Sequence, residues 1–155
     1  MLSFCKRQNL AVLILLITAY LFGCASNKQT TYTTSEITEP QGARRLLDTL
    51  MTLYANKELE TFKKYIAPNM IGYETLVEDI ATSNHELTQI RTQLTDVTIA
   101  NSQQISVISA KWQKRFLRTG NLQQGLSEGS ASFMFEQIGK HWRLIGMSGD
   151  DVFKP

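Results

Sequence analysis

Between Gln104 and Thr119 the chain alternates for longer than any helical pattern permits. Ile108, Ala110, Trp112 and Phe116 fall on one face; Ile105, Val107 and Leu117 fall on the other, with Lys111 and Arg115. A side-chain period of two marks a strand with a buried face. Two further runs repeat the pattern. Ser127 to Ile138 puts Ala131, Phe133 and Phe135 on one face, and in His141 to Ser148 Trp142 and Leu144 alternate with Arg143 and Ile145. Gly139-Lys140 joins these two as a hairpin turn, and Gly120-Asn121 opens a loop that lasts to about Gly125. Ile90 to Ala100, β-branched and partly alternating, supplies a fourth strand. Upstream the period changes. Leu46, Leu50 and Leu53 recur at i, i+4, i+7 beside Leu47, Met51 and Tyr54, the apolar stripe of a helix. After Ala55-Asn56-Lys57, Leu59, Phe62 and Ile66 predict a second helix ended by Pro68. Met70 to Glu74 reads as an extended link. Thr75 and Glu78 then fit a capping box opening a third helix, with Val77, Ile80, Asn84 and Leu87. Helices followed by a meander predict an α+β domain over residues 43–155: three N-terminal helices packed on a strongly curved antiparallel sheet.

The first residues follow another logic. Lys6 and Arg7 precede an apolar run from Leu10 to Phe22, interrupted only by Thr18. A spanning helix needs roughly 20 apolar residues, so a short run behind a basic front reads as a secretory signal. The run ends in Leu21-Phe22-Gly23-Cys24, which resembles the signal of bacterial lipoproteins, with Phe22 where that family prefers a small residue. The resemblance implies cleavage after residue 23 and acylation of Cys24, and several acyl chains at ~0.8 kcal/mol per buried CH2 anchor a protein stably. An uncleaved N-terminal anchor is the alternative; it alters the attachment and not the compartment. In Gram-negative lipoproteins Asp after the cysteine retains the protein in the inner membrane. Ala25 stands there, so the resemblance implies outer-membrane sorting with the domain facing the periplasm. Residues 24–42, rich in Ser, Thr, Asn and Gln, read as the lipidated cysteine and a flexible tether.

Of 16 basic and 14 acidic residues, Lys6 and Arg7 lie in the signal and every acid lies after Cys24, so the mature chain carries no net charge. A neutral domain lacks the electrostatic footprint for a phosphate backbone, and nucleic acid is not an expected partner. Cys5 leaves with the signal and Cys24 is acylated; these are the chain's two cysteines. The mature domain is thus expected without disulfide or thiol nucleophile. Two isolated histidines and the absence of clustered ligand spacing predict no metal and no cofactor.

The order of elements, together with Phe133-Met-Phe-Glu-Gln-Ile-Gly-Lys-His-Trp-Arg-Leu-Ile145, resembles the nuclear transport factor 2-like superfamily, as does the segment from Tyr54 to Ile71. The resemblance implies a cone: a long helix closing one side of a bent sheet, its interior either packed or hollow. Members include isomerases, dehydratases, cyclases and plain interaction modules, so the fold alone does not choose among them. In ketosteroid-isomerase-like members a carboxylate base follows the second helix, and that position falls on Glu74. Their oxyanion-hole tyrosine falls on Leu50, which donates no hydrogen bond. A base without that donor loses what is usually the largest catalytic contribution. Glu74 also reads as an exposed acid at a helix start, where the dipole favours it.

Dehydratase-like members use His with Asp. Here His85 with Asp96 would require the fold to bring them together, and His141 alternates out of phase with Trp142. Leu50, Tyr54, Trp112, Phe133 and Trp142 are the expected cavity-lining residues. Lys111, Lys114, Arg115 and Arg118 cluster on one strand, either to bind an anion or to protect a sheet edge. Asp150-Asp151 reads as a solvated turn. No catalytic set assembles, and the expectation is a lipid-anchored, non-catalytic module whose partner is an envelope protein or a small apolar ligand. The alternatives are an isomerase or dehydratase with Glu74 as base, and a structural subunit of an envelope or secretion assembly.

Overall fold

The computed structural model describes residues 40–155. The signal, Cys24 and most of the tether lie outside the described residues. Helix α1 spans Pro40–Ala55, beginning three residues earlier than the stripe alone predicts; Pro at its start has φ preset for a helix. It buries Ala43, Leu46, Leu47, Leu50, Leu53 and Tyr54. On its exposed side Arg44 pairs with Asp48 at 3.0 Å. Lys57, with φ 62°, turns the chain out of α1.

Helix α2 spans only Leu59–Lys63 and buries Phe62. It is shorter than the run to Pro68 suggested because its continuation is recruited by the sheet. Leu144 N–H donates to Tyr65 O at 2.9 Å, and Ala67 N–H donates to Leu144 O at 2.8 Å, making Ile66 a parallel bridge to Leu144. Helix α3 spans Tyr73–Glu86, with Gly72 at φ 82° as its N-cap and no side-chain cap bond. The predicted capping box does not form. Thr75 and Glu78 lie inside the helix, because Gly72 reaches the left-handed conformation without cost and starts it earlier.

The strands are β1 (Leu87–Ser102), β2 (Ile105–Arg118), β3 (Gln124–Ile138) and β4 (His141–Gly149). They pair antiparallel in the order β1-β2-β3-β4. Irregularities at Thr88/Arg91 and Thr95/Thr98 bend β1, and one at Met134/Phe135 bends β3 against β4. The inner face carries Ile108, Trp112 and Phe116 of β2, Phe133 and Phe135 of β3 and Leu144 of β4, all buried. α1 and α3 close that face, and the core lies between. Because β2 is an inner strand, its charges do not guard an edge, as one sequence reading had it. Lys111 and Arg115 point to the exposed outer face, where Lys111 pairs with Asp96 at 2.8 Å.

Candidate functional site inside the cone

Four of the five expected lining residues meet in the core. Leu50 and Phe133 are 0% exposed, Tyr54 1% and Trp112 6%. Trp142 packs at the margin, half-buried, with its indole over the Gly42 backbone at the start of α1. The interior they line is filled from within. Phe62 and Phe135 are fully buried, and so is Phe153 from the segment that follows β4. Phe153 meets Tyr54 edge-on at 5.1 Å and Phe62 at 5.2 Å between ring centroids, the favoured geometry for aromatic pairs.

Among these rings lies a polar cluster. Lys114 shares the inner face of β2 with Trp112 and Phe116 and is 1% exposed. Its Nζ donates to Tyr54 OH at 3.3 Å and to the Lys154 carbonyl, and stands 5.7 Å from the centroids of both the Tyr54 and Phe116 rings. Tyr54 OH donates to Ser83 Oγ at 3.0 Å, and Ser83 Oγ donates to Phe153 O at 2.7 Å. Ser83 comes from α3, so three elements and the last segment converge on one chain of donors.

Burial disfavours the charged forms throughout. Desolvation pulls Lys114 down to about 8, against a smaller opposing pull from Asp151. It pushes Tyr54 up to about 12, although the bond to Ser83 works the other way. Asp151 is raised, first by burial and also by the neighbouring Asp79. Asp79 Oδ2 is buried with no donor. The cluster therefore holds a lysine whose proton affinity burial lowers, a phenol kept as a donor, and an acid, Asp151, that burial and the neighbouring Asp79 hold toward its protonated form.

Sequence reasoning grouped Lys114 with three surface charges, although positions 112, 114 and 116 are in phase and that alternation was the available signal. It read Asp150-Asp151 as a solvated turn; Asp150 is exposed and a turn follows, whereas Asp151 is half-buried. Asp150 also accepts from Trp112 Nε1 at 3.1 Å through its carbonyl and from Ser130 N–H at 3.0 Å through its carboxylate, while Asp151 Oδ1 accepts from Phe153 N–H at 2.8 Å. The Asp151 bond is the local turn bond an Asp makes two residues on; nothing local in the sequence marks the Trp112 and Ser130 partners of Asp150. Glu74 is exposed on the first turn of α3, His85 and His141 are exposed, and Asp96 is engaged with Lys111 rather than a histidine. Among the described residues, no three His, Cys, Asp or Glu side chains gather as metal ligands.

No family model matches this sequence, and no curated protein matches it. Solved structures do. A nuclear transport factor 2-like superfamily protein from Salmonella enterica serovar Typhimurium aligns over 73% of this chain and 90% of its own, with TM-score 0.64 and 16% identity. The fold is the nuclear transport factor 2-like one. A protein of the nuclear transport factor 2-like family from Streptomyces avermitilis, provisionally named a dehydratase, aligns over 74% of this chain and 97% of its own, with TM-score 0.64 and 11% identity. The association domain of C. elegans CaMKII aligns over 72% and 94%, with TM-score 0.56 and 14% identity. At such identities the likeness concerns the nuclear transport factor 2-like fold alone, and the site must speak for function.

Proposed function

We propose that this chain is a non-catalytic binding module of the bacterial cell envelope, acylated at Cys24 and facing the periplasm from the outer membrane. One observation supports the reading most directly: the interior volume that a substrate would need is taken by the chain's own Phe153. Glu74 stands in solvent, and Leu50 offers no donor. The partner is an envelope protein or a small apolar ligand. Glu74→Gln keeps the shape of the side chain and removes the base. It is expected to leave fold and cellular phenotype intact, since an active base would contribute ~10²–10⁴-fold. Loss of phenotype in a folded Glu74→Gln protein would overturn the reading.

A second reading has its own observation. Neighbours carrying dehydratase names favour an enzyme at least as well as a module, and Lys114 with Tyr54, Asp79 and Asp151 would supply its acid–base groups in place of Glu74. Turnover of a small hydroxy or carbonyl compound by the full chain, abolished by Lys114→Met, would establish that reading. An assembly subunit is the third, in keeping with a neighbour that is an association domain.

A further inference from the structure

The segment after β4 is held in an unusual manner. Asp150 N–H donates to Ser130 O at 2.8 Å, and beyond it no backbone–backbone bond ties the segment to the sheet among the described residues. Side-chain donors take over, each aimed at a main-chain carbonyl. Trp112 Nε1 holds Asp150 O, Ser83 Oγ holds Phe153 O and Lys114 Nζ holds Lys154 O. Main-chain carbonyls are common to every peptide, so these three donors are indifferent to sequence. Selectivity comes from the slot between Tyr54 and Phe62 that takes the Phe153 ring and from the apolar surroundings that bury Val152 completely. Backbone bonds for affinity with a side-chain pocket for choice is the logic of peptide receptors. Asp79 Oδ2 adds a buried acceptor that the present occupant leaves unused.

We infer that the cone is a peptide-binding site occupied in cis by residues 150–155, and that a peptide of the class Asp-aliphatic-aromatic, turned at its Asp as Asp151 turns onto Phe153 N–H, can take their place. This rests on the binding-module reading and gives its partner a chemistry. Beyond Asp150 the segment can leave without breaking a backbone bond to the sheet, since those bonds end at Asp150. A tethered occupant competes at an effective concentration in the millimolar range, so the wild-type site should appear nearly closed to added peptide.

Two measurements on the full chain test this. In the first, a labelled capped peptide, acetyl-Gly-Asp-Asp-Val-Phe-Lys-Pro-amide, is titrated by fluorescence anisotropy. Phe153→Ala empties the slot and should bind it at least about tenfold tighter than wild type, because the tethered competitor is weakened. Adding Lys114→Met, or replacing the peptide's Phe by Ala, should remove that gain. Equal binding by wild type and a folded Phe153→Ala, or a gain that survives the peptide's Phe-to-Ala change, overturns the inference. In the second, hydrogen exchange on wild type requires no variant to fold. Residues 152–154 should exchange by local opening, about tenfold or more faster than the Ile108–Phe133 pair of the core. Exchange of that segment only with global unfolding overturns the inference and makes Phe153 a plain core residue. Neither failure touches the binding-module reading, which stands or falls on Glu74→Gln and turnover.

Discussion

Lys114 carries an electrostatic cost set by burial. A buried ammonium is tolerated only when its protons have acceptors, and here Tyr54 OH and the Lys154 carbonyl serve. Its depressed proton affinity ties stability to pH. Between about 8 and the ordinary value of 10.5, the unfolded chain holds the proton that the folded chain has released. Stability from this group therefore rises with pH across that window, and its cost is fully present below it. Tyr54 opposes it at higher pH: raised from 10.0 to about 12, it keeps a proton the unfolded chain loses, so its contribution falls with pH through that range. Urea unfolding from pH 7 to 10 should show the rise in wild type. Lys114→Met should abolish that rise and be at least as stable as wild type at pH 7, since a neutral side chain of similar length avoids the desolvation. A Lys114→Met protein that keeps the wild-type pH profile would show that another group titrates.

At the scale of elements, β2 and β3 are fitted by two glycines facing two aromatic rings. Phe116 pairs with Gly125 and Trp112 with Gly129, and each ring lies over the backbone that the missing Cβ leaves open. This lets large rings fold onto a bent sheet, a recurrent use of glycine in curved strands. A Cβ at Gly129 would stand 2.8 Å from Trp112 Cζ2 and 2.6 Å from Asp150 Cβ. Gly129→Ala should accordingly cost ~1–3 kcal/mol, as overpacking does. Gly120→Ala adds a Cβ that meets nothing within 4 Å and should stay within about 0.5 kcal/mol of wild type. Equal denaturation midpoints for the two variants would mean that the rings yield freely. The alternation of β2 and β3 was legible from the residues alone, because their mutual register runs without a bulge and period two therefore persists. The short α2 was not, because the loss of its last turn depends on Leu144, far along the chain.

For the whole molecule the expected arrangement is an acylated cysteine, a tether and one folded domain. Cys24→Ser should leave an uncut or differently cut precursor that takes up no labelled fatty acid. Acyl labelling that persists in this variant would refute the anchor. With Ala25 after the cysteine, mature protein is expected in outer-membrane fractions, and recovery with inner membranes would refute the sorting. Both experiments leave the domain's chemistry untouched, so they test the address separately from the activity.

Fold class and the phase of β2 and β3 followed from the order of hydrophobic residues, since burial imposes its period locally on helix and strand alike. Leu50, Tyr54, Trp112 and Phe133, placed inward on that ground, are buried, while Trp142, placed inward likewise, is half-buried at the margin. What the interior contains was decided only in three dimensions. Lys114, Ser83 and Phe153 are far apart in the chain, and each alone has an ordinary reading: a strand-end charge, a helix serine, an aromatic beyond β4. Their meeting depends on the bend of the sheet and the return of the last segment beneath α1 and α3. No local pattern encodes that return, because hydrogen bonds between side chains and distant carbonyls have no period to read.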